Sequence, residues 1–369
     1  MRLARSLFTV LLVLGTCEPV VNTQAPTRSV EQPPRSGSTD TKRSFPGGGR
    51  ILFLRSAGPL YTWGSIGLLT PDGTLRTYPK RSRAFPYWDP GSRDRILMLP
   101  YDEPTVTRSF RIVGDSLVPV GAWRTAESAT LPSLDGTKLA FTAIDRSGRA
   151  RYGVLRLIER STGRRSTVRG RRLVPLGWTP DEALLAVPVK GGRLVRWDPR
   201  TGATLRFGSA SGPGNDSVVW DRSGHRFAAN AIASHGGRSS VVIGDPHGRV
   251  TRIAWVGSGL VETPTWSTDG SRIAFIVRGP GRQGHRRSRL HVFDLTVGFD
   301  TVVADPVSDT FWASWSPDGA WLLVDDWTRD LWLFVAADGD RIVPYPWLGS
   351  FPRWCCPSSP PISVPIPVS

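Results

Sequence analysis

Short apolar runs broken by tight turns organise this chain. Between about residues 49 and 356, apolar and polar positions alternate in segments of a few residues, separated by Gly, Asp and Pro. That is the period-2 pattern of half-buried strands joined by hairpins. The pattern also repeats. Trp266-Ser267-Thr268-Asp269-Gly270 runs into Arg272-Ile273-Ala274-Phe275, and Trp315-Ser316-Pro317-Asp318-Gly319 runs into Trp321-Leu322-Leu323-Val324. Trp220-Asp221-Arg222-Ser223-Gly224 and Trp178-Thr179-Pro180-Asp181 lead into similar apolar runs, Pro132-Ser133-Leu134-Asp135-Gly136 is a degenerate copy, and Trp88 begins another.

These anchors, at 88, 132, 178, 220, 266 and 315, lie 44, 46, 42, 46 and 49 residues apart, the length of a four-stranded propeller blade. Each anchor reads as strand, Asp-Gly turn, strand, and a second alternating hairpin follows it: Phe110 to Val120, Val154 to Val168, Leu194 to Phe207, Val241 to Ile253, Leu290 to Val303 and Leu331 to Val343. The ends supply what is missing. Ile51 to Leu54, Ile66 to Leu69 and Leu75 to Tyr78 are three strands without a leading Trp turn, and Phe351 to Cys355 is a lone strand. Pairing them closes a ring and removes both exposed edges. The expectation is an all-β propeller of about seven four-stranded blades, with six or eight the neighbouring counts, closed by N- and C-terminal strands sharing one blade.

The repeat resembles the WD-repeat-like, TolB-type propeller motif, an apolar stretch followed by Trp-Ser-Pro-Asp-Gly and a strand ending near Ala-Phe, across about residues 49 to 356. The resemblance implies that Trp88, Trp178, Trp220, Trp266, Trp315 and Trp354 pack between blades and that Asp-Gly makes the turn. It carries fold and not activity, because one architecture hosts scaffolds, binders and enzymes.

Outside the repeat, Arg2 and Arg5, the apolar run Leu7 to Leu14 and small residues before Cys17 have the three-part layout of an export signal. The run is too short to span a bilayer. Leu14-Gly15-Thr16-Cys17 resembles a bacterial lipobox, which makes Cys17 the expected lipidation site and the membrane a partner through that anchor; simple secretion after Ala25 is the alternative. The expected organisation is a signal peptide over 1–16, a disordered Thr/Ser/Pro/Gly-rich tether over 17–48, the propeller over 49–356 and a Pro-rich tail over 357–369. The other two cysteines, Cys355 and Cys356, are adjacent in sequence and read either as two thiols or as a vicinal disulfide.

The formal net charge is +16, and the excess is arginine, since Lys42, Lys80, Lys138 and Lys190 are the only lysines. Ten arginines against Glu159 occupy 146–172, whereas nine aspartates against Arg329 occupy 300–340. Loops expected on one face carry Arg146, Arg149, Arg169, Arg171, Arg172, Arg278, Arg282, Arg286 and Arg287, an anion-binding arc; a solvated arginine surface inflated by coding composition is the competing explanation. Export disfavours nucleic acid as the partner.

Motifs for chemistry are sparse. There is no Gly-x-Ser-x-Gly elbow, no phosphate-cradling Gly-Lys-Ser/Thr loop and no His-Glu-x-x-His. The histidines 225, 235, 247, 285 and 291 fall mainly at expected turns and loops without zinc spacing. No catalytic residue, metal or cofactor site is therefore expected. The sequence favours a non-enzymatic envelope propeller lipoprotein that binds a protein or an anionic glycan or lipid. A propeller hydrolase or lyase acting on an envelope or extracellular substrate is the alternative, to be recognised by Asp, His and Arg converging in the central channel.

Overall fold

A computed structural model describes residues 43–355 except 57–63, 83–85, 90–91, 93, 99–105, 126–129, 144–153, 168–172, 180, 189–194, 207–217, 222, 233–237, 247–248, 263, 280–286, 309–312 and 327–328. Seven antiparallel sheets follow one another, as the repeat predicts. Blade 1 joins the two ends of the chain: Ser350–Cys355 pairs with Arg50–Ser56, followed by Gly64–Leu69 and Leu75–Ser82. Blade 2 comprises Tyr87–Trp88, Arg95–Met98, Val106–Val113 and Ser116–Arg124. Blade 3 comprises Leu131–Pro132, Lys138–Ala143, Val154–Glu159 and Arg165–Thr167. Blade 4 runs through Leu173–Trp178, Leu184–Pro188, Val195–Trp197 and Thr204–Arg206, and blade 5 through Val218–Trp220, Phe227–Ile232, Arg238–Gly244 and Val250–Ser258.

In blade 6 the inner strand is interrupted, so that Leu260–Val261 and Thr265–Trp266 both pair with Arg272–Arg278, ahead of Arg287–Asp294 and Phe299–Ser308. Blade 7 holds Ala313–Trp315, Trp321–Asp326, Leu331–Ala336 and Ile342–Pro346. First strands of neighbouring blades touch around much of the ring and therefore surround its axis.

Blade sheets stand face to face, so the core is divided among the junctions. One apolar cluster fills each: Ile276, Leu290 and Val303 meet Trp315 and Leu322 between blades 6 and 7, for example, and Leu54, Ile66 and Tyr78 meet Ile96 and Phe110 between blades 1 and 2. The smallest clusters lie between blades 4 and 5 and between blades 2 and 3. Burial at about 25 cal/mol per Å² makes these clusters the main favourable contribution to folding.

The ring closes through Ile51 opposite Trp354 and Leu52 opposite Arg353. Packing starts before the first strand. Phe45, within the segment read from sequence as tether, is buried, stacks on Phe334 at 5.4 Å and meets Trp354 edge-on at 5.8 Å. Tyr345 donates a 3.0 Å hydrogen bond to the Arg43 carbonyl, and the Trp354 indole donates to Gly48 O at 2.7 Å. Residues 43–49 thus strap blade 7 to blade 1. Cys355 is disulfide-bonded.

Candidate functional site

The repeated residues are occupied with holding the ring together. Trp266 donates its indole N–H to Val219 O at 2.9 Å, Trp315 to Thr265 O at 3.1 Å, Trp178 to Leu131 O at 3.0 Å and Trp88 to Arg353 O at 3.3 Å. In each case the acceptor belongs to the inner strand of the preceding blade. Two tryptophans depart from this: Trp354 donates to Gly48 O, and Trp220 has its indole nitrogen buried without a partner among the described residues. The turn that follows is equally regular. Asp269 accepts from Ser267 Oγ at 2.6 Å and from Ser271 N at 3.1 Å, Ser267 Oγ accepts from Arg272 N at 2.9 Å, and Gly270 adopts φ +71°. This Asx-turn geometry recurs at Ser133-Asp135-Gly136 and Ser316-Asp318-Gly319.

A second inter-blade device uses the cation leading into a second strand. Arg272 Nη2 donates to Gly319 O at 2.7 Å and its guanidinium lies 5.2 Å from the Trp315 ring; Arg226 does the same to Gly270 O at 2.9 Å and Trp266 at 5.1 Å. At the same register Arg50 lies over Trp88 at 5.1 Å, and Lys138 reaches Glu182 in the turn of blade 4 at 2.6 Å. Part of the arginine excess is thereby committed to a structural belt on the face that carries the Asp-Gly turns.

The inner strands, which border the channel, contain no Asp, Glu or His. Their one permanently charged residue is Arg353, whose guanidinium is lowered to about 10 by burial. Neighbouring Tyr87 donates to Thr130 O, and burial raises its phenol far above the ordinary value. Among the described residues, no group of three or more His, Cys, Asp or Glu side chains could hold a metal ion.

Of the arc residues, Arg146, Arg149, Arg169, Arg171, Arg172, Arg282 and Arg286 lie outside the described residues, as does Cys17. The two that are described flank the 279–286 loop. Arg278 is buried and paired with Glu262 at 2.7 Å, whereas Arg287 is exposed. The histidines also divide: His225 is exposed in a turn, whereas His291 sits in a strand, buried between Phe275 at 5.1 Å and Trp255 at 6.0 Å, with Nδ1 2.9 Å from Asp300 Oδ2. His291 is therefore a core residue and not a loop histidine. His235, His247 and His285 lie outside the described residues.

One site was not foreseen. A cleft of about 480 Å³ opens between blades 2 and 3, with Ser92, Arg95, Trp123, Asp135, Thr137 and Arg160 on its walls. Arg160 is clamped by buried Asp89 through two bonds of 2.6 and 2.7 Å, donates to Gly136 O at 2.7 Å and stacks 4.5 Å from the Trp123 ring. Ser109 Oγ completes the clamp at 3.1 Å from Asp89. Burial alone would raise the Asp135 carboxyl, but hydrogen bonds from Ser133 and Thr137 bring it net below the usual range, leaving it ionised at neutral pH. The signal for this cleft in the sequence is Pro132, standing where the other junctions have tryptophan.

No protein-family profile matches the chain, and no curated protein matches it in sequence. Solved structures do. The Pseudomonas aeruginosa periplasmic gluconolactonase PpgL is 14% identical, with 84% of this chain and 99% of that chain covered at a TM-score of 0.56. An oligogalacturonate lyase in complex with manganese is 14% identical over 75% of this chain and 86% of that chain, at 0.55. TolB from Acinetobacter baumannii is 18% identical over 83% of this chain and 66% of that chain, at 0.47, too low to carry an argument. At these identities the likeness is one of fold alone, and in fold the chain is a seven-bladed β-propeller.

Proposed function

We propose that this chain is an exported, non-enzymatic propeller of the cell envelope, anchored through Cys17, which binds a protein or an anionic glycan or lipid on its arginine-bearing loop face. The observation that carries the reading is the composition of the inner strands: without Asp, Glu or His they offer the channel neither a general base nor a carboxylate pair. Charge supports the partner class. Ten arginines against the single acid Glu159 between 146 and 172 concentrate positive charge in one stretch of the chain, and such a concentration attracts anions.

Co-sedimentation of the mature chain with vesicles rich in anionic lipid, and its retention on an acidic polymer, test this across a salt series. Binding should weaken steadily as ionic strength rises, and Arg146, Arg149 and Arg169 changed together to Gln should weaken it without altering the melting temperature. Equal retention by the triple variant at every salt concentration would remove the arc as the binding surface. Cys17→Ser should release the protein from membranes; unchanged fractionation rules out the anchor.

A further inference from the structure

We propose that the cleft between blades 2 and 3 is a binding site for a small hydroxylated monocarboxylate, a sugar acid, whose carboxylate is received by Arg95. It lies on the face that carries the Asp-Gly turns and is independent of the reading above.

The argument starts from a break in the repeat. At register, Arg95 is the counterpart of Arg226 and Arg272: it leads into the second strand of blade 2, one residue before Ile96, which pairs with Trp88 as Ile273 pairs with Trp266. Arg226 and Arg272 each find two partners on the next blade, an indole face and a glycine carbonyl. Arg95 finds neither. Blade 3 has Pro132 in place of the tryptophan, and the carbonyl of Gly136, which Arg95 would otherwise reach, accepts from Arg160 instead. Among the described residues the Arg95 guanidinium makes no hydrogen bond, ion pair or ring contact, although the residue is partly buried on the cleft wall. The missing indole also accounts for the opening itself, since the apolar cluster here reduces to Leu97, Leu139, Phe141 and Ile158 with Tyr87 and Trp123 beside them.

Charge and hydrogen-bond capacity then select the ligand. Arg111, directly across the strand pair from Arg95, is matched by Asp94 at 3.4 Å. Asp89 is cancelled by Arg160. What remains facing the cleft is one unmatched guanidinium and the ionised Asp135, a pairing that suits one carboxylate at the first and hydroxyl donors at the second, and that opposes a phosphate dianion. Ser92 and Thr137 donate their own protons to Asp94 and Asp135, at 2.8 and 2.7 Å, so their oxygens present lone pairs to further hydroxyls. The volume, about 480 Å³, falls in the range of about 300–1,000 Å³ typical of small-molecule sites.

Titration calorimetry of the full chain with D-glucuronate and with D-glucose tests the assignment. Glucuronate should bind, and glucose should bind weaker by about tenfold or more, the worth of one charge-assisted contact. Arg95→Gln should weaken glucuronate by a similar factor while leaving the melting temperature unchanged, because the side chain holds no other described residue. Pro132→Trp should abolish binding by restoring the indole, with stability maintained or raised. Absence of glucuronate binding, equal binding of glucose, or an Arg95→Gln variant that binds like the parent overturns the proposal; if the variants fold poorly, the glucuronate-to-glucose ratio of the parent chain decides.

Discussion

Ile51 lies opposite Trp354 across the strand pair that joins the two ends of the chain. Two residues separated by nearly the whole propeller thus share one blade, and the last strand laid down completes the first sheet. Deleting 350–369 would strip blade 1 of its inner strand, bare the edge of Arg50–Ser56 and remove the indole that Phe45 meets edge-on. The expected result is aggregation or a steep fall in melting temperature. Phe45→Ala probes the same seam more gently, and a buried Phe replaced by Ala costs about 3–5 kcal/mol. A truncated chain that melts like the parent would show that blade 1 does not close the ring.

Glu182 occupies the position that glycine takes in the other turns, with φ +66° against +71° at Gly270 and +69° at Gly319. A side chain in this region costs about 1–2 kcal/mol, and its ion pair with Lys138, partly exposed at 22% and 40%, returns at most about 1 kcal/mol. Glu182→Gly should therefore leave stability unchanged or raise it by up to about 1 kcal/mol, whereas Gly270→Ala should lower it. Chemical denaturation of both variants settles the order; a strongly destabilised Glu182→Gly would mean that the Lys138 pair outweighs the strain.

How much of this was legible depends on how local the signal is. The Trp-to-Gly turns and alternating strands repeat within a few residues, so blade boundaries and the closure at Trp354 follow from pattern and spacing alone. Pairings across junctions do not. Nothing near Arg278 in sequence marks Glu262 as its partner, and His291 reads as one more isolated histidine until Phe275 and Trp255 enclose it. The strap was hidden because Phe45 is a lone aromatic in a Pro-Gly context without periodicity. Pro132 was visible as a degenerate repeat, but only the positions of Arg95 and Arg160 turn that degeneracy into a cleft.

Acid should loosen the turns. The carboxyls of Asp135 and Asp269 tend upward through burial, yet hydrogen bonds from Ser133 and Thr137, and from Ser267 and Ser271, hold them net below the ordinary 3.8. A depressed carboxyl contributes stability above its unfolded value and loses it as pH falls through the folded one, so the melting temperature should hold above about pH 5 and decline toward pH 2. Each turn contributes at most about 1 kcal/mol, because these groups are largely solvated. Asp269→Asn should lower the neutral-pH melting temperature slightly and flatten the acid slope; an unaltered slope would place the acid sensitivity elsewhere.

The arginines of this chain should separate into two classes when removed one at a time. Arg272 combines a 2.7 Å bond to Gly319 O with the face of Trp315, and Arg226 combines Gly270 O and Trp266 with a 2.9 Å contact to Asp221. Each such residue joins two blades by a charge-assisted hydrogen bond and a cation–π contact, so replacement by Gln should cost about 1–2 kcal/mol. That corresponds to a fall of about 2–8 °C in melting temperature. Replacement by Lys should recover part of it, since an ammonium keeps the charge but not the planar fork. Exposed Arg287, flanking the 279–286 loop, should by contrast change stability by less than about 0.5 kcal/mol when made Gln, and any effect should appear in anion binding instead. If Arg272→Gln and Arg287→Gln shift the melting temperature equally, the belt has no special role; a clear split assigns a structural role to the arginines that join neighbouring blades.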